Sequence, residues 1–429
     1  MTTIFAVSSG APPAAIAILR LSGPRAFDAV RALAGTLPEP RVAALRALRD
    51  PAKGELIDRA LVLLFPGPAS ATGEDLAELH VHGGRATVRA AETALERLDG
   101  LRRAEPGEFT RRALMNGRID LSEAEGLGDL LAAETEAQRR AALTSTEGAV
   151  RRQVEDWTAR TLKLAAGVEL LLDHADEEDA TDDVAALAQT RAQAALLAAE
   201  IDAVLAQPPV ERLRDGLRVV LAGPANSGKS TLFNALAGRD AAIVSPIAGT
   251  TRDRIEAPVV RDGVAWLLID TAGLNQNSVD PIEVMGIARS HAAIAEADLL
   301  LWLGDRPPPK LPMPVIAVHA RGDAAGREAT PAGRVRVAAA RGDTGLLWTA
   351  LHDVAGRMLP PTDAVAMNRR QRALTADASE HLRRVSREPD PLLVAEALRQ
   401  ARGALHAITG RAGVEAMLDA LFGGFCVGK

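Results

Sequence analysis

Tyrosine is absent, cysteine occurs once, and aromatic residues make up only 3% of the 429 positions. With a single thiol, Cys426, no intramolecular disulfide and no multi-cysteine metal site can form. So few rings argue against an aromatic platform for stacking single-stranded bases. The sequence also lacks any uninterrupted apolar run near the ~20 residues that a membrane helix needs. Its start, MTTIFAVSSG, has neither the basic beginning nor the small-residue cleavage site of a signal peptide, so a soluble, cytoplasmic protein without a membrane partner is expected. The formal charge of −6 excludes wholesale coating of nucleic acid and leaves room only for a local basic patch.

A chain this long predicts two or three domains. Residues 1–118 mix strand-like runs (Ala15 to Leu21, Leu56 to Phe65, Asp75 to His82) with a helical run, Arg85 to Leu98, and read as one α/β domain. From Leu121 to about Val204 glycine and proline nearly vanish, and Val150, Val154, Trp157, Thr161, Leu164, Val168 and Leu171 fall four and three apart on one helix face. Pro208 and Pro209 break that pattern, and strand-and-turn sequence resumes at Leu217. After Gly356 and the Pro360–Pro361 pair the helical spacing returns in Val394, Leu398, Ala401, Leu405 and Ile408. The fold class expected is therefore multidomain: an α/β domain (1–118), an all-α bundle in two parts (119–212 and 359–429), and a Ras-like P-loop G domain (213–358) inserted between them.

The insertion carries the chemistry. Gly223-Pro-Ala-Asn-Ser-Gly228-Lys229-Ser230 matches GxxxxGK[ST], follows the strand-like Leu217 to Leu221 and opens the helical run Thr231 to Ala237. In such a loop the backbone amides from Asn226 and Ser227 through Thr231 face phosphate, Lys229 meets the β/γ oxygens and the Ser230 hydroxyl ligates magnesium. Gly249-Thr-Thr-Arg-Asp253 follows, where Thr250 or Thr251 completes the metal shell. Asp270-Thr271-Ala272-Gly273 ends an apolar strand, where the Asp holds magnesium through water and the Gly amide senses the γ-phosphate. Base recognition departs from the usual NKxD: in His319-Ala-Arg-Gly-Asp323 only Asp323 remains to accept from guanine, Ala320 and Arg321 fill the Asn and Lys places, and Val337-Ala338-Ala339 lacks the usual serine. Reduced GTP affinity is expected. Leu274 stands where a Ras-like enzyme has its water-orienting glutamine, which leaves Glu283 as the nearby candidate for that task.

Taken together, the P-loop with Asn226, GTTRD, DTAG, Glu283 to Arg289 and the terminal Phe425-Cys426-Val-Gly-Lys429 resemble the MnmE (TrmE) family of tRNA-modification GTPases. The likeness extends through Thr3-Ile-Phe-Ala6, Ile18 to Gly23, Thr72-Gly-Glu-Asp75, His82-Gly-Gly84, Pro106 to Arg111 and Asp120 to Glu125. It implies a homodimer held by the N-terminal domain, which also binds a tetrahydrofolate derivative (5-formyl or methylene form) as one-carbon source. It further implies a partner flavoprotein, MnmG, and tRNA as substrate, modified at carbon 5 of the wobble uridine. G domains of the family pair around potassium, which stands in for an arginine finger. Matching positions assign potassium to Asn226, Ser245, Ile247 and Thr250, leaving Ser230 and Thr251 to magnesium. Nucleotide contacts then run through Ser245, Pro246, Ile247, Ala248, Gly249, Thr250 and Thr251, with Glu283 orienting water. Folate contacts carry over as Arg20, Glu78, Arg118 and Lys429, of which Arg118 is lysine in many relatives. Cys426 falls near the folate site as a candidate catalytic thiol, and Gly428 and Lys429 fit a prenylation box poorly. His174, where relatives commonly have phenylalanine, receives no function. A ribosome-assembly GTPase would share GTTRD and DTAG but not these flanks, and a scaffold without turnover would not need Lys229, Ser230, Asp270 and Glu283.

Overall fold

The structure is a computed structural model that describes residues 2–173, 180–224, 226–238, 255–270, 294–361, 365, 367–410, 422–423, 425 and 428. The chain divides into two compact units, one of residues 1–128, 151–158 and 405–429, the other of 129–150 and 159–404. In chain order the elements are β1 (Thr3–Val7), β2 (Ile16–Ser22), α1 (Ala26–Ala34), β3 (Ala44–Arg49), β4 (Leu56–Phe65), β5 (Leu76–His82), α2 (Arg85–Glu96), β6 (Leu101–Arg103) and α3 (Glu108–Met115). They continue with α4 (Leu121–Ala132), α5 (Glu136–Thr146), α6 (Ala149–Asp173), α7 (Ala180–Leu205), α8 (Glu211–Arg214), β7 (Leu217–Ala222) and α9 (Lys229–Ala237). The last are β8 (Ile255–Arg261), β9 (Val264–Asp270), β10 (Leu299–Trp302), β11 (Val315–His319), β12 (Val335–Arg336), α10 (Gly345–Met358), α11 (Arg369–Arg387) and α12 (Pro391–Ile408).

The first unit is built on a sheet in the order β3-β4-β5-β2-β1-β6, antiparallel except for the β1–β6 pair. Strand alternation sends Ala17, Leu19 and Leu21 of β2, Ala60, Val62 and Leu64 of β4, and Ala77, Leu79 and Val81 of β5 into one core with Ala26, Val30 and Leu33 of α1 and Val88, Ala91 and Leu95 of α2. The other face is only partly covered. Ile4 and Ala6 pack there against Ala104 and Phe109, whereas Ile16, Leu45 and Leu61 stay 57%, 59% and 43% exposed.

The second unit holds a sheet in the order β12-β11-β10-β7-β9-β8, parallel except for β8. Its central strands read as continuous apolar runs because both faces are covered. Leu217, Val219, Leu221, Leu268, Leu299 and Leu301 pack with Leu232 and Phe233 of α9 and Trp348 and Leu351 of α10, and Val220, Ile269 and Leu300 form a core on the opposite side. Elsewhere in this unit α7 and α11 pair. Asp202 accepts from Ser379 Oγ at 2.7 Å and from Arg383 Nη2 at 2.6 Å. Of the apolar series read from the sequence, Val150, Val154, Trp157, Thr161, Leu164 and Val168 are buried and Leu171 is half-buried, while Val394, Leu398, Ala401, Leu405 and Ile408 are all buried. Among the described residues, no helix is long and apolar enough to cross a membrane.

Candidate functional site

The nucleotide loop runs from the end of β7 into α9. Gly228, at φ +99°, makes the left-handed step that starts the helix at Lys229, two residues earlier than helical composition suggests. Lys229 is buried, and its ammonium donates to the carbonyls of Gly223 at 3.0 Å and Pro224 at 2.8 Å. Burial pushes its pKa below the ordinary lysine value, while the charge of Asp270 pulls the other way. Asp270 ends β9, is buried, and stands beside Leu221 of β7 in register. Ser227 Oγ is buried and has no hydrogen-bond partner among the described residues. An orphaned hydroxyl and a lysine satisfied only by its own loop are what a phosphate-binding turn leaves for an anion to complete.

Behind this turn lies a cavity of about 270 Å³, lined by Gly228, Thr231, Leu232, Ala320, Arg321, Asp323 and the alanines at 339–340. Asp323 is largely covered and stands 3.6 Å from Arg341 Nε. Arg321, itself at φ +58°, donates from Nη2 to the carbonyl of Asn226 at 2.5 Å and so ties the base loop to the phosphate loop. Ala320 is buried, and its carbonyl accepts from Arg327 Nε at 3.0 Å. Ala338 is buried and bridges to Asp343, with Ala339 beginning the next turn. The structure thus brings Asn226, Ser227, Gly228, Lys229, Ser230, Thr231 and Asp270 to one strand-end cluster and Asp323 and Ala339 to the adjoining pocket, whereas Ala338 is buried beside it and does not line it. Magnesium is commonly held by one or two protein oxygens plus substrate phosphates, and the Ser230 hydroxyl with the Asp270 carboxylate is such a donor set. Ser245 through Thr251, Thr271, Ala272, Gly273 and Glu283 lie outside the described residues, as does His174.

A second cluster sits on the partly covered face of the N-terminal sheet. Arg20 of β2 and Glu78 of β5 are register partners. Arg20 Nε and Nη2 both donate to Glu78 Oε1, at 3.1 and 2.9 Å, and its guanidinium lies 6.0 Å from the Phe109 ring centre. Arg118 is exposed; its stem passes over Gly73, where a Cβ would stand 3.2 Å from Arg118 Cγ. The Glu78 carboxylate beside the Arg20 guanidinium fits a ligand that has a hydrogen-bond donor edge and an acidic tail. Cys426 and Lys429 lie outside the described residues, but their neighbours are anchored in this unit. Phe425 packs on Phe422 with ring centres 5.7 Å apart, and the carbonyl of Gly428 accepts from Ser8 Oγ at 2.7 Å. At φ +99°, a Cβ on Gly428 would stand 2.2 Å from the carbonyl oxygen of Val7.

Two groups in this unit escaped the sequence reading. Arg112 donates to Glu74 at 2.9 Å and to Glu108 at 3.0 Å, and Ser22 Oγ donates to Glu74 at 2.7 Å. This network ties together the Thr72–Asp75 and Pro106–Arg111 segments. His80 touches Glu78, and the alternation Glu78, His80, His82 along one strand is the signal that would have found it.

Fold and site together define a P-loop nucleotide-binding protein, with the loop at the carboxyl end of a parallel sheet beside a base-sized pocket. The model for the GTP-binding protein TrmE N-terminus matches residues 3–118, and that for the MnmE helical domain matches residues 121–426. A tRNA modification GTPase MnmE of Rhizorhabdus wittichii is 54% identical across 100% of this chain and 96% of its own. One of Erythrobacter litoralis is 53% identical across the whole of both. Among solved structures, the G domain of the T. maritima FeoB iron transporter is 26% identical over 32% of this chain and 98% of its own, at a TM-score of 0.24. Era of Aquifex aeolicus is 24% identical over 38% and 66%, at 0.25. The chain belongs to the MnmE family of tRNA-modification GTPases.

Proposed function

We propose that this chain hydrolyses GTP and couples that cycle to tRNA modification. Together with the flavoprotein MnmG it adds a carboxymethylaminomethyl or aminomethyl group to carbon 5 of the wobble uridine in certain tRNAs. The observation that carries the reading is the buried Lys229, held on its own loop's carbonyls beside Asp270 and an unpartnered Ser227 hydroxyl. Nucleotide phosphate supplies this lysine with a counter-charge beyond that of Asp270. Magnesium, when bound, neutralises phosphate charge, and Ser230, Thr251 and Asp270 are the residues that hold it. Potassium belongs to Asn226, Ser245, Ile247 and Thr250, Glu283 orients the attacking water, and Gly273 reads the γ-phosphate. Asp323 accepts from the guanine edge with Arg321 above the pocket.

In the N-terminal domain Arg20, Glu78, Arg118 and Lys429 hold a 5-formyl or methylene tetrahydrofolate, and Cys426 serves the modification chemistry. The exposed apolar residues Ile16, Leu45 and Leu61 favour a homodimer through the same domain. The domain limits we assign are 1–118, 119–212 with 359–429, and 213–358, and the protein works in the cytoplasm.

The test is GTP hydrolysis by the purified protein in potassium and in sodium, with Glu283→Ala alongside. Strong stimulation by potassium that disappears in the variant is the expected outcome. Equal slow rates in both salts would refute cation-dependent turnover. A separate wobble-uridine assay with MnmG tests the modification step, which Cys426→Ser should impair while leaving GTP hydrolysis intact.

A further inference from the structure

The N-terminal sheet holds an imidazole for which no role has been given. His80 lies two residues beyond Glu78 on β5, so alternation places both on the partly covered face. His80 Nε2 stands 3.2 Å from Glu78 Oε2, and Arg20 occupies Oε1 with two donors. A carboxylate offers about four lone-pair sites, of which these contacts use three. The vacancy is on Oε2, beside His80. The carboxylate is therefore gripped from both ends with one acceptor direction left over. All three side chains are partly accessible, at 28% for Arg20, 16% for Glu78 and 24% for His80.

Across the strands the register partners of His80 are Ile18 of β2 and Leu61 of β4, apolar side chains that offer the imidazole no hydrogen bond. The charged groups nearby are Arg20 on β2, Glu78 and His82 on β5, and Arg59, two residues before Leu61 on β4. His82 is held elsewhere: its Nδ1 and its backbone amide both bond the Asp58 carboxylate, at 2.8 and 2.7 Å.

We propose that His80 is a positioning residue for Glu78 at the folate site. The inference rests on the reading of Arg20 and Glu78 as folate contacts. A donor at His80 Nε2 fixes the Glu78 carboxylate rotamer, so Oε2 points its free lone pair one way, toward the donor edge of a ligand.

The experiment is calorimetric titration of the full-length protein with 5-formyltetrahydrofolate, using wild type, His80→Leu, His80→Gln, His82→Gln and Glu78→Ala, each checked for native melting. His80→Leu should lose about tenfold in affinity. His80→Gln, which can donate the same bond, should recover most of it. His82→Gln should bind like the wild type. Wild-type affinity in His80→Leu, or no recovery in His80→Gln, overturns the proposal while leaving the folate site standing. Undiminished binding by Glu78→Ala, or none by the wild type, removes the site reading and the proposal with it.

Discussion

Lys229 shows what burial does to a cation. Its folded-state pKa lies below the ordinary lysine value because burial disfavours the charged form. The unfolded chain therefore binds a proton more readily, and the lysine opposes folding at neutral pH; the penalty fades as pH rises through the lowered pKa toward 10.5. Replacing it with methionine should leave the melting temperature of the nucleotide-free protein unchanged or a few degrees higher, and should abolish the stabilisation by GTP, both readable by differential scanning fluorimetry. Asp323→Ala removes the acidic acceptor that lines the base pocket among the described residues. The preference for GTP over ATP in a competition titration should then fall by about tenfold or more. The P-loop lysine, the DTAG aspartate and the pocket aspartate were all legible from motif spacing. His80 was not singled out, although the alternation Glu78, His80, His82 puts it on the same face of one strand as Glu78; which groups share that face with them only the sheet register shows.

Among the helices and strands, caps and ties set the local stability. Asn368 accepts from the amide of Gln371 at 2.9 Å, and the Gln371 side chain accepts from the Asn368 amide at 3.1 Å, a reciprocal cap on α11. Asn368→Ala should cost about 1 kcal/mol in chemical denaturation. The same helix is tied to α7 through Asp202, whose pKa is lowered chiefly by its bond from Arg383, against the opposing effect of burial. A carboxylate with a depressed folded pKa adds stability above its ordinary value and loses it as pH falls through the folded one. Thermal melts should therefore show α7–α11 losing support only below about pH 4, and Arg383→Leu should flatten that part of the profile at a neutral-pH cost under ~1 kcal/mol. At the other end of the chain, Gly428→Ala should push the terminal segment off β1, since its Cβ would stand 2.2 Å from the Val7 carbonyl oxygen. Weaker folate binding with normal GTP hydrolysis is the expected result. Strand and helix types were readable from period-2 and period-3.6 patterns, and boundaries moved by one or two residues where a cap or turn intervened.

For the molecule entire, the arrangement of chemistry is one of separate modules. A phosphate-binding turn stands at the end of a parallel sheet in one compact unit, and a carboxylate–guanidinium–imidazole cluster stands on an antiparallel sheet in the other. The potassium experiment addresses the first and the folate titration the second. A variant that fails one and passes the other shows that the two chemistries are separable.

What could be read directly was whatever depends on order along the chain. The P-loop, the helical faces of α6 and α12 and the family itself follow from residue type and spacing, since backbone amides, periodic burial and loop closure are local consequences of sequence. What folding added depends on distance in space. Arg321 reaches the Asn226 carbonyl across 95 positions, Arg20 meets Glu78 across 58, and Gly428 seats against Ser8 across 420. These contacts come from sheet register and chain crossings. The energy that selects them is burial summed over the whole core, which no short window of the sequence contains.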